Sequence, residues 1–109
     1  MSGLARMTIP TQLVLRVLLA EPDQERYGFE IVEASGLRSG TVHPILARLE
    51  DLGWLVSRWE DIDPRTAGRP ARRYYKLTAE GLPRATNALH RSRTAVQPRR
   101  PLRLAREES

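Results

Sequence analysis

The residues from Ser39 to Leu77 constrain this fold most, because they predict a helix, a strand, a loop and a second strand in that order. Apolar side chains at helical spacing predict one buried face on the helix: Val42, Ile45, Leu46, Leu49 and Leu52. Ser39 or Thr41 is expected to cap its start, and Gly53 to close its end in a left-handed conformation. The sequence therefore predicts an amphipathic helix just before a pair of strands.

The two strand patterns after this helix predict a β-hairpin. Residues 54–59 are rich in aromatic and β-branched side chains, and residues 72–77 form the second pattern. Residues 60–71 carry Asp-Pro and Gly-Arg-Pro turn signals, so we expect a loop there. Alternation along the second strand directs Tyr75 and Leu77 inward and gives Arg73 the same inward parity. A helix followed by a basic hairpin is the order found in winged helix-turn-helix domains.

Three further helices complete the predicted fold, which is mainly α with a small β-hairpin. Thr8 is expected to cap the first helix, and a second helix should run from about Gln24 or Tyr27 to Ser35. A tight turn containing Gly36 then leads into the third helix, as in a helix-turn-helix. The fourth helix should begin at a Thr78 cap and present a thin apolar stripe: Leu82, Ala85, Leu89 and Val96.

Length and composition limit the classes of function. With 109 residues, 40% of them hydrophobic and 28% charged, the chain should form one small domain. It has no cysteine, and no metal-ligand, phosphate-loop or catalytic pattern stands out, so we expect no cofactor, no metal and no enzymatic activity. It has neither a long apolar run nor a signal-peptide core, so we expect no membrane association and a cytoplasmic location.

The positive charge begins where the predicted third helix begins. The net charge of +5 divides into −2 over residues 1–37, +3 over residues 38–78 and +4 over residues 79–109. This asymmetry is typical of nucleic-acid binders, although solubilising tails show it too.

Eight side chains are the candidate DNA contacts. Four lie on the third helix and are expected to donate to phosphates and base edges: Ser39, Thr41, His43 and Arg48. Four cations, with no acid among residues 69–76, would neutralise phosphates: Arg69, Arg72, Arg73 and Lys76. The alternative function is a winged helix that assembles with other proteins, in which these side chains serve only solubility.

The two tryptophans have different strand parities, which predicts one buried ring and one exposed ring. Core packing is the expected role of Trp54. For Trp59 a dimer contact, a ligand contact and plain surface all stay open.

Short motifs in a fixed order resemble the PadR family of bacterial transcriptional regulators. The motifs are Tyr27–Ile31, Ser35–Leu37, Ser39–Pro44, Leu49–Glu50, Gly68–Pro70 and Arg73–Gly81. The resemblance implies a dimeric winged helix-turn-helix repressor whose third helix enters the major groove. It also implies a wing on the DNA backbone or minor groove, and a C-terminal helical region that dimerises and often responds to a ligand.

Two departures from the family pattern stand out. His43 occupies a position where the family usually has tyrosine. The C-terminal part has room for one helix rather than several, so the sequence lends no support to a small-molecule effector.

The expected organisation is a DNA-binding domain over residues 8–78, a dimerisation helix over residues 79–96 and a basic disordered tail over residues 97–109. The first helix is apolar on more than one face, and the fourth has nothing nearby in sequence to bury its leucines. The expected dimer contacts are Leu13, Val17, Leu82, Leu89 and Val96. Such a homodimer would bind a palindromic operator.

Overall fold

The computed structural model describes residues 7–95, and their side chains through residue 92. The elements are α1 (Ile9–Ala20), β1 (Arg26–Tyr27), α2 (Gly28–Ser35), α3 (Ser39–Asp51), β2 (Leu55–Trp59), α4 (Pro64–Ala67), β3 (Arg73–Leu77) and α5 (Gly81–Ala95). The predicted winged helix-turn-helix is confirmed, with one strand more than the expected hairpin. None of the described helices is long and apolar enough to cross a lipid bilayer.

The apolar stripe of α3 lies at the centre of the hydrophobic core. Val42 and Leu46 are completely buried, and α3 packs against α1, α2 and β2. Trp54 is only 5% exposed, which confirms its predicted place in the core. The inward strand residues Tyr75 and Leu77 are also buried, as their alternation predicts.

Local hydrogen bonds set the helix ends, and most follow the sequence signals. Thr8 Oγ1 accepts from the backbone N–H of Thr11 at 3.3 Å, and Gly36 ends α2 in the left-handed region at φ 76°. The predicted cap of α3 is wrong, because its N-cap residue is Arg38, which makes no side-chain capping bond. The second helix begins at Gly28, since residues just before it pair as strand β1.

The sheet is antiparallel with strand order β1-β3-β2. Tyr27 of β1 lies opposite Tyr74 of β3, while Ser57 of β2 lies opposite Tyr75. We call β2, β3 and the residues between them (55–77) the wing. The segment between β2 and β3, expected to be loop throughout, contains the four-residue helix α4. This helix begins after Asp63, whose carboxylate accepts from the N–H of Arg65 at 3.0 Å.

The last described helix, α5, packs along α1. Its buried side chains recur at helical spacing: Ala85, Ala88, Leu89 and Ser92. Leu89, an expected dimer contact, is only 7% exposed in a single chain, where α5 packs on the sequence-distant helix α1. Leu82 remains 37% exposed, and Val96 and the predicted tail lie outside the described residues.

A tight backbone junction joins the end of α3 to the start of α5. The carbonyl of Trp54 accepts from the N–H of Thr78 at 2.9 Å. Thr78 Oγ1 donates to the carbonyl of Gly53 at 2.8 Å and accepts from the N–H of Gly81, also at 2.8 Å. A Cβ atom at Gly81 would lie 2.1 Å from the Trp54 carbonyl oxygen, so only glycine fits there.

We expect Gly81→Ala to lower the free energy of unfolding by about 3 kcal/mol or more, because its methyl group would have to displace backbone rather than a flexible side chain. Gly40→Ala is the matched control. No atom lies within 4 Å of a Cβ built at Gly40, so this change should be neutral or stabilise by about 0.4–1 kcal/mol. Urea unfolding followed by circular dichroism measures both. Equal stability of the two variants would contradict the close approach at the junction.

Candidate nucleic-acid interface

One face of α3 points to solvent and carries mostly small side chains. The exposed residues along it are Ser39, Gly40, Pro44, Ala47 and Asp51. His43 lies on the flank nearest the wing, whereas Thr41 and Arg48 lie on the opposite flank and are half-buried. The helix therefore offers a low ridge that another surface can approach closely, with hydrogen-bonding groups on both sides.

A groove of about 520 Å³ separates this helix from the wing. Phe29 at the start of α2 and Trp59 at the end of β2 line it, and they are 62% and 61% exposed. Tyr75 also lines it and is buried, which raises the pKa of its phenol. We call this space, with its continuation along α3, the aromatic groove.

The imidazole of His43 lies where α2 and α3 meet the aromatic groove. A Cβ at Gly28 would sit 3.0 Å from Cε1 of His43, so the absent side chain leaves room for the ring. The groove continues along α3 as a second cavity of about 360 Å³, which is also lined by Ala47 and Glu50.

Arg73 stays on the inner face of the wing, as its parity predicts. Its Nε and Nη2 donate to Ser57 Oγ at 3.1 and 2.9 Å, and Nη2 lies 3.5 Å from Glu50 Oε1. Ser57 Oγ in turn donates to Glu50 Oε2 at 2.6 Å. The guanidinium also lies 5.5 Å from the centre of the Trp59 ring. Arg73 is therefore held by the protein, with part of its charge offset by Glu50.

Arg69 is also paired within the wing. Its two terminal nitrogens donate to the two carboxylate oxygens of Glu60 at 2.8 and 2.9 Å. Glu60 accepts a further bond from the backbone N–H of Arg72 at 3.1 Å. These bonds, the one to Arg69 above all, lower the pKa of the Glu60 carboxyl to about 2. This fork closes the base of the α4 connection.

The outer face of the sheet carries a second set of arginine contacts. The guanidinium of Arg58 donates to both carboxylate oxygens of Glu25 at 2.7 and 2.6 Å, which lowers the pKa of Glu25. Arg58 lies over the ring of Tyr74, whose edge meets Tyr27 with ring centres 5.8 Å apart. Arg72 lies 4.4 Å above the Tyr27 ring, at the end of the sheet where both side chains also line the aromatic groove. These stacked side chains tie the wing to β1.

The structure brings half of the eight candidate DNA contacts together and separates the rest. The four that line the aromatic groove are His43, Arg69, Arg72 and Arg73. Lys76 lies opposite Val56 on the outer face of the sheet, away from α3.

Sequence reasoning missed Phe29 and Arg38, which are both exposed beside this interface. The helix start at Gly28 could have located Phe29, because it places that residue in the first turn of α2. No sequence pattern joins Phe29 to Trp59, because the groove they line depends on the β1–β3 pairing.

We expect the Glu60 carboxyl to titrate near pH 2 in the folded protein, well below its usual 4.5. Because the folded-state pKa is the lower one, the pair stabilises the wing fully above pH 4.5, and this contribution is lost as the pH falls towards 2. Arg69→Gln should return the pKa of Glu60 towards 4.5, whereas Arg65→Gln on the neighbouring α4, where the side chain makes no ion pair with a described residue, should not. Carboxyl ¹³C NMR titration measures this. A wild-type midpoint near 4.5 would show that the fork does not form in solution.

Comparison with solved structures shows the same fold in bacterial regulators. A PadR family regulator from Eggerthella lenta DSM 2243 is 23% identical, with a TM-score of 0.60 over 80% of this chain and 78% of that one. A PadR family regulator from Clostridium difficile R20291 is 24% identical, with a TM-score of 0.61 over 81% and 91%. Reduced AbfR bound to DNA is 26% identical, with a TM-score of 0.61 over 84% of this chain and 60% of AbfR.

No curated protein sequence matches this chain significantly. A family model does match: the one described as the transcriptional regulator PadR-like family covers residues 14–87, which include the helix-turn-helix, the wing and the first half of α5. The match spans well over half of the chain and agrees with the fold and with the motifs around α2, α3 and β3. The chain therefore belongs to the PadR-like family of transcriptional regulators, a family of regulatory proteins rather than enzymes.

Proposed function

We propose that this protein is a sequence-specific DNA-binding repressor that inserts α3 into the major groove and sets its wing on the backbone or minor groove. The exposed ridge of small residues on α3, beside arginines that make no ion pair with a described residue, carries this proposal. A helix of 13 residues with a narrow outer face fits a major groove about 12 Å wide. DNA-bound AbfR, which shares this fold, supports the same use of this chain.

The charge available to phosphates differs from the charge counted along the sequence. Within residues 38–77, Arg58, Arg69 and Arg73 are paired with acids. The basic side chains of this segment that form no ion pair with a described residue are Arg38, Arg48, Arg65, Arg72 and Lys76. Arg38 and Arg72 flank the start of α3 and the aromatic groove, so we assign them the main phosphate contacts.

The groups that could read bases lie on the flanks of α3. Thr41, His43 and Arg48 each present a polar group next to the small-residue ridge, and Ser39 is exposed at the first turn. We assign them base or nearby phosphate contacts. Arg69 and Arg73 keep a supporting role, because their bonds to Glu60 and Glu50 orient the wing.

We expect the protein to bind its own upstream promoter DNA with an affinity that falls steeply as salt rises. Arg72→Ala should weaken binding to operator and unrelated DNA alike and reduce the log–log salt slope by about 0.9. Arg48→Ala should instead reduce the preference for operator by roughly 1–3 kcal/mol. Fluorescence anisotropy at several salt concentrations measures both effects.

Arg84→Ala on α5 is the control and should leave DNA affinity unchanged. A salt-independent response of the wild type would favour the protein-assembly alternative. In vitro transcription from the same promoter tests the regulatory sign, and an increase on adding the protein would exclude a repressor.

We also propose a homodimer and a palindromic operator. One α3 and one wing cover few base pairs, and two half-sites about one helical turn apart would double the contacts. Apolar side chains spaced four apart on α1 remain wholly or partly exposed in one chain: Ile9, Leu13 and Val17. With Leu82 on α5 they offer an apolar surface, whereas Leu89 is already buried and Val96 lies outside the described residues.

We expect a double substitution of the exposed residues, Ile9→Asp with Leu82→Asp, to shift the protein from dimer to monomer in sedimentation equilibrium. Both side chains are solvent-exposed in one chain, at 58% and 37%, so the monomer fold should persist. Val56→Asp introduces one aspartate at a side chain that is 53% exposed on the outer face of β2, and it should leave the dimer intact. A monomeric wild type, or a double variant that dimerises normally, would contradict this surface.

A further inference from the structure

We propose that the aromatic groove receives one sugar-phosphate strand of the bound DNA, with the rings of Phe29 and Trp59 as its side walls. This inference rests on the proposed function and adds to it two aromatic contacts and a path for the strand between the major-groove helix and the wing.

The exposure of the two rings is the first argument. Phe29 is 62% and Trp59 is 61% exposed, and both line the same concave surface. Large apolar groups gathered in one exposed concavity mark interaction sites. His43, a candidate DNA contact on α3, lines the same space, so the groove is continuous with the surface proposed to meet DNA.

The charges around the groove favour an anionic occupant. Arginines and no acidic residue line its larger part. Arg69 and Arg73 are already paired with Glu60 and Glu50, so Arg72, which makes no ion pair with a described residue, is the main cation offered to a phosphate. Arginine forks match the oxygens of a phosphate. The faces of aromatic rings suit the carbon-rich deoxyribose that follows each phosphate, since protein contacts to DNA are divided between phosphate and sugar.

The shape favours a strand over a compact molecule. The larger space continues along α3 into the second cavity, and the two share His43, Trp59, Arg73 and Tyr75. Glu50 lines only the far end, which is therefore less suited to a phosphate. The strand is expected to occupy the end between Phe29 and the wing, where no acidic side chain lines the space.

Contacts with Arg73 position the Trp59 ring in the protein without DNA. It is the last residue of β2 and lies opposite Arg73, whose guanidinium is near its ring and is fixed by Ser57 and Glu50. An ordered wall loses less conformational entropy on binding than a mobile side chain would.

We expect Trp59→Ala and Phe29→Ala each to weaken DNA binding roughly five- to thirtyfold, because each loses the burial of a large exposed ring. The loss should be equal on operator and unrelated DNA and should leave the salt slope unchanged, since no ion is displaced by an apolar contact. Arg72→Ala provides the contrast, because it lowers that slope. Trp59→Phe keeps a ring and should bind nearly as the wild type does, and Val56→Ala controls for loss of an exposed apolar side chain elsewhere.

Tryptophan fluorescence gives a second readout that does not depend on the variants. The chain has two tryptophans, and only Trp59 is accessible to acrylamide because Trp54 is 5% exposed. Saturating DNA should abolish most of the acrylamide quenching.

The inference is overturned if Trp59 stays quenchable in the complex and Trp59→Ala binds as tightly as the wild type does. The DNA-binding function would survive that result, and a small-molecule site would become the better reading of the groove. Absence of any DNA binding by the wild type would overturn both proposals together.

Discussion

The hydrogen bonds between residues 53–54 and residues 78–81 fix the geometry on which the proposed interface depends. The carbonyls of Gly53 and Trp54 follow directly from α3, and Thr78 binds both where β3 ends. The same hydroxyl oxygen then accepts from Gly81, where α5 begins. One residue therefore sets the positions of the wing and α5 relative to α3. A shift here would move the wing relative to α3 and would also move α5, where part of the proposed dimer surface lies.

Ion pairs that form in the fold reduce the positive charge that the wing can offer to DNA phosphates. Counted along the chain, residues 69–76 hold four cations and no acid. In the fold, Glu60, which follows β2, forms an ion pair with Arg69, and Glu50 of α3 forms one with Arg73. Ion pairs of this kind fix side-chain geometry more than they add stability at an exposed site. The wing is thus expected to contribute to DNA binding mainly through the fixed positions of its arginines and of Trp59. It adds only a few charges that no acid offsets.

The sequence predicted the features that depend on local periodicity and missed those that depend on pairing. Helix spacing located α3, and alternation placed Tyr75 inward, because both patterns reflect one buried face. Strand β1 has two residues and exists only through its bonds to β3, so no periodicity could reveal it. Helix α4 has only four residues and depends on the Asp63 cap. The aromatic groove is lined by residues of β1, α2, α3 and the wing, so it could not be predicted without knowing how these elements pack. The burial of Leu89 in a single chain could not be predicted either, because the packing of α5 on α1 joins distant segments of sequence.

The small number of unpaired cations gives a physical reason for a dimer. Five basic side chains of residues 38–77 make no ion pair with a described residue, and Lys76 faces away from α3. Each phosphate neutralised contributes only about 0.9 to the salt slope, and each good base contact contributes roughly 1–3 kcal/mol. One chain therefore has few contacts with which to distinguish an operator from the many competing genomic sites. Two chains joined through the remaining apolar side chains of α1 and α5 would present two ridges and two grooves to the same duplex. Because the exposed ridge of α3 carries mostly small side chains, selectivity would come from the spacing of two copies as much as from the residues on either one.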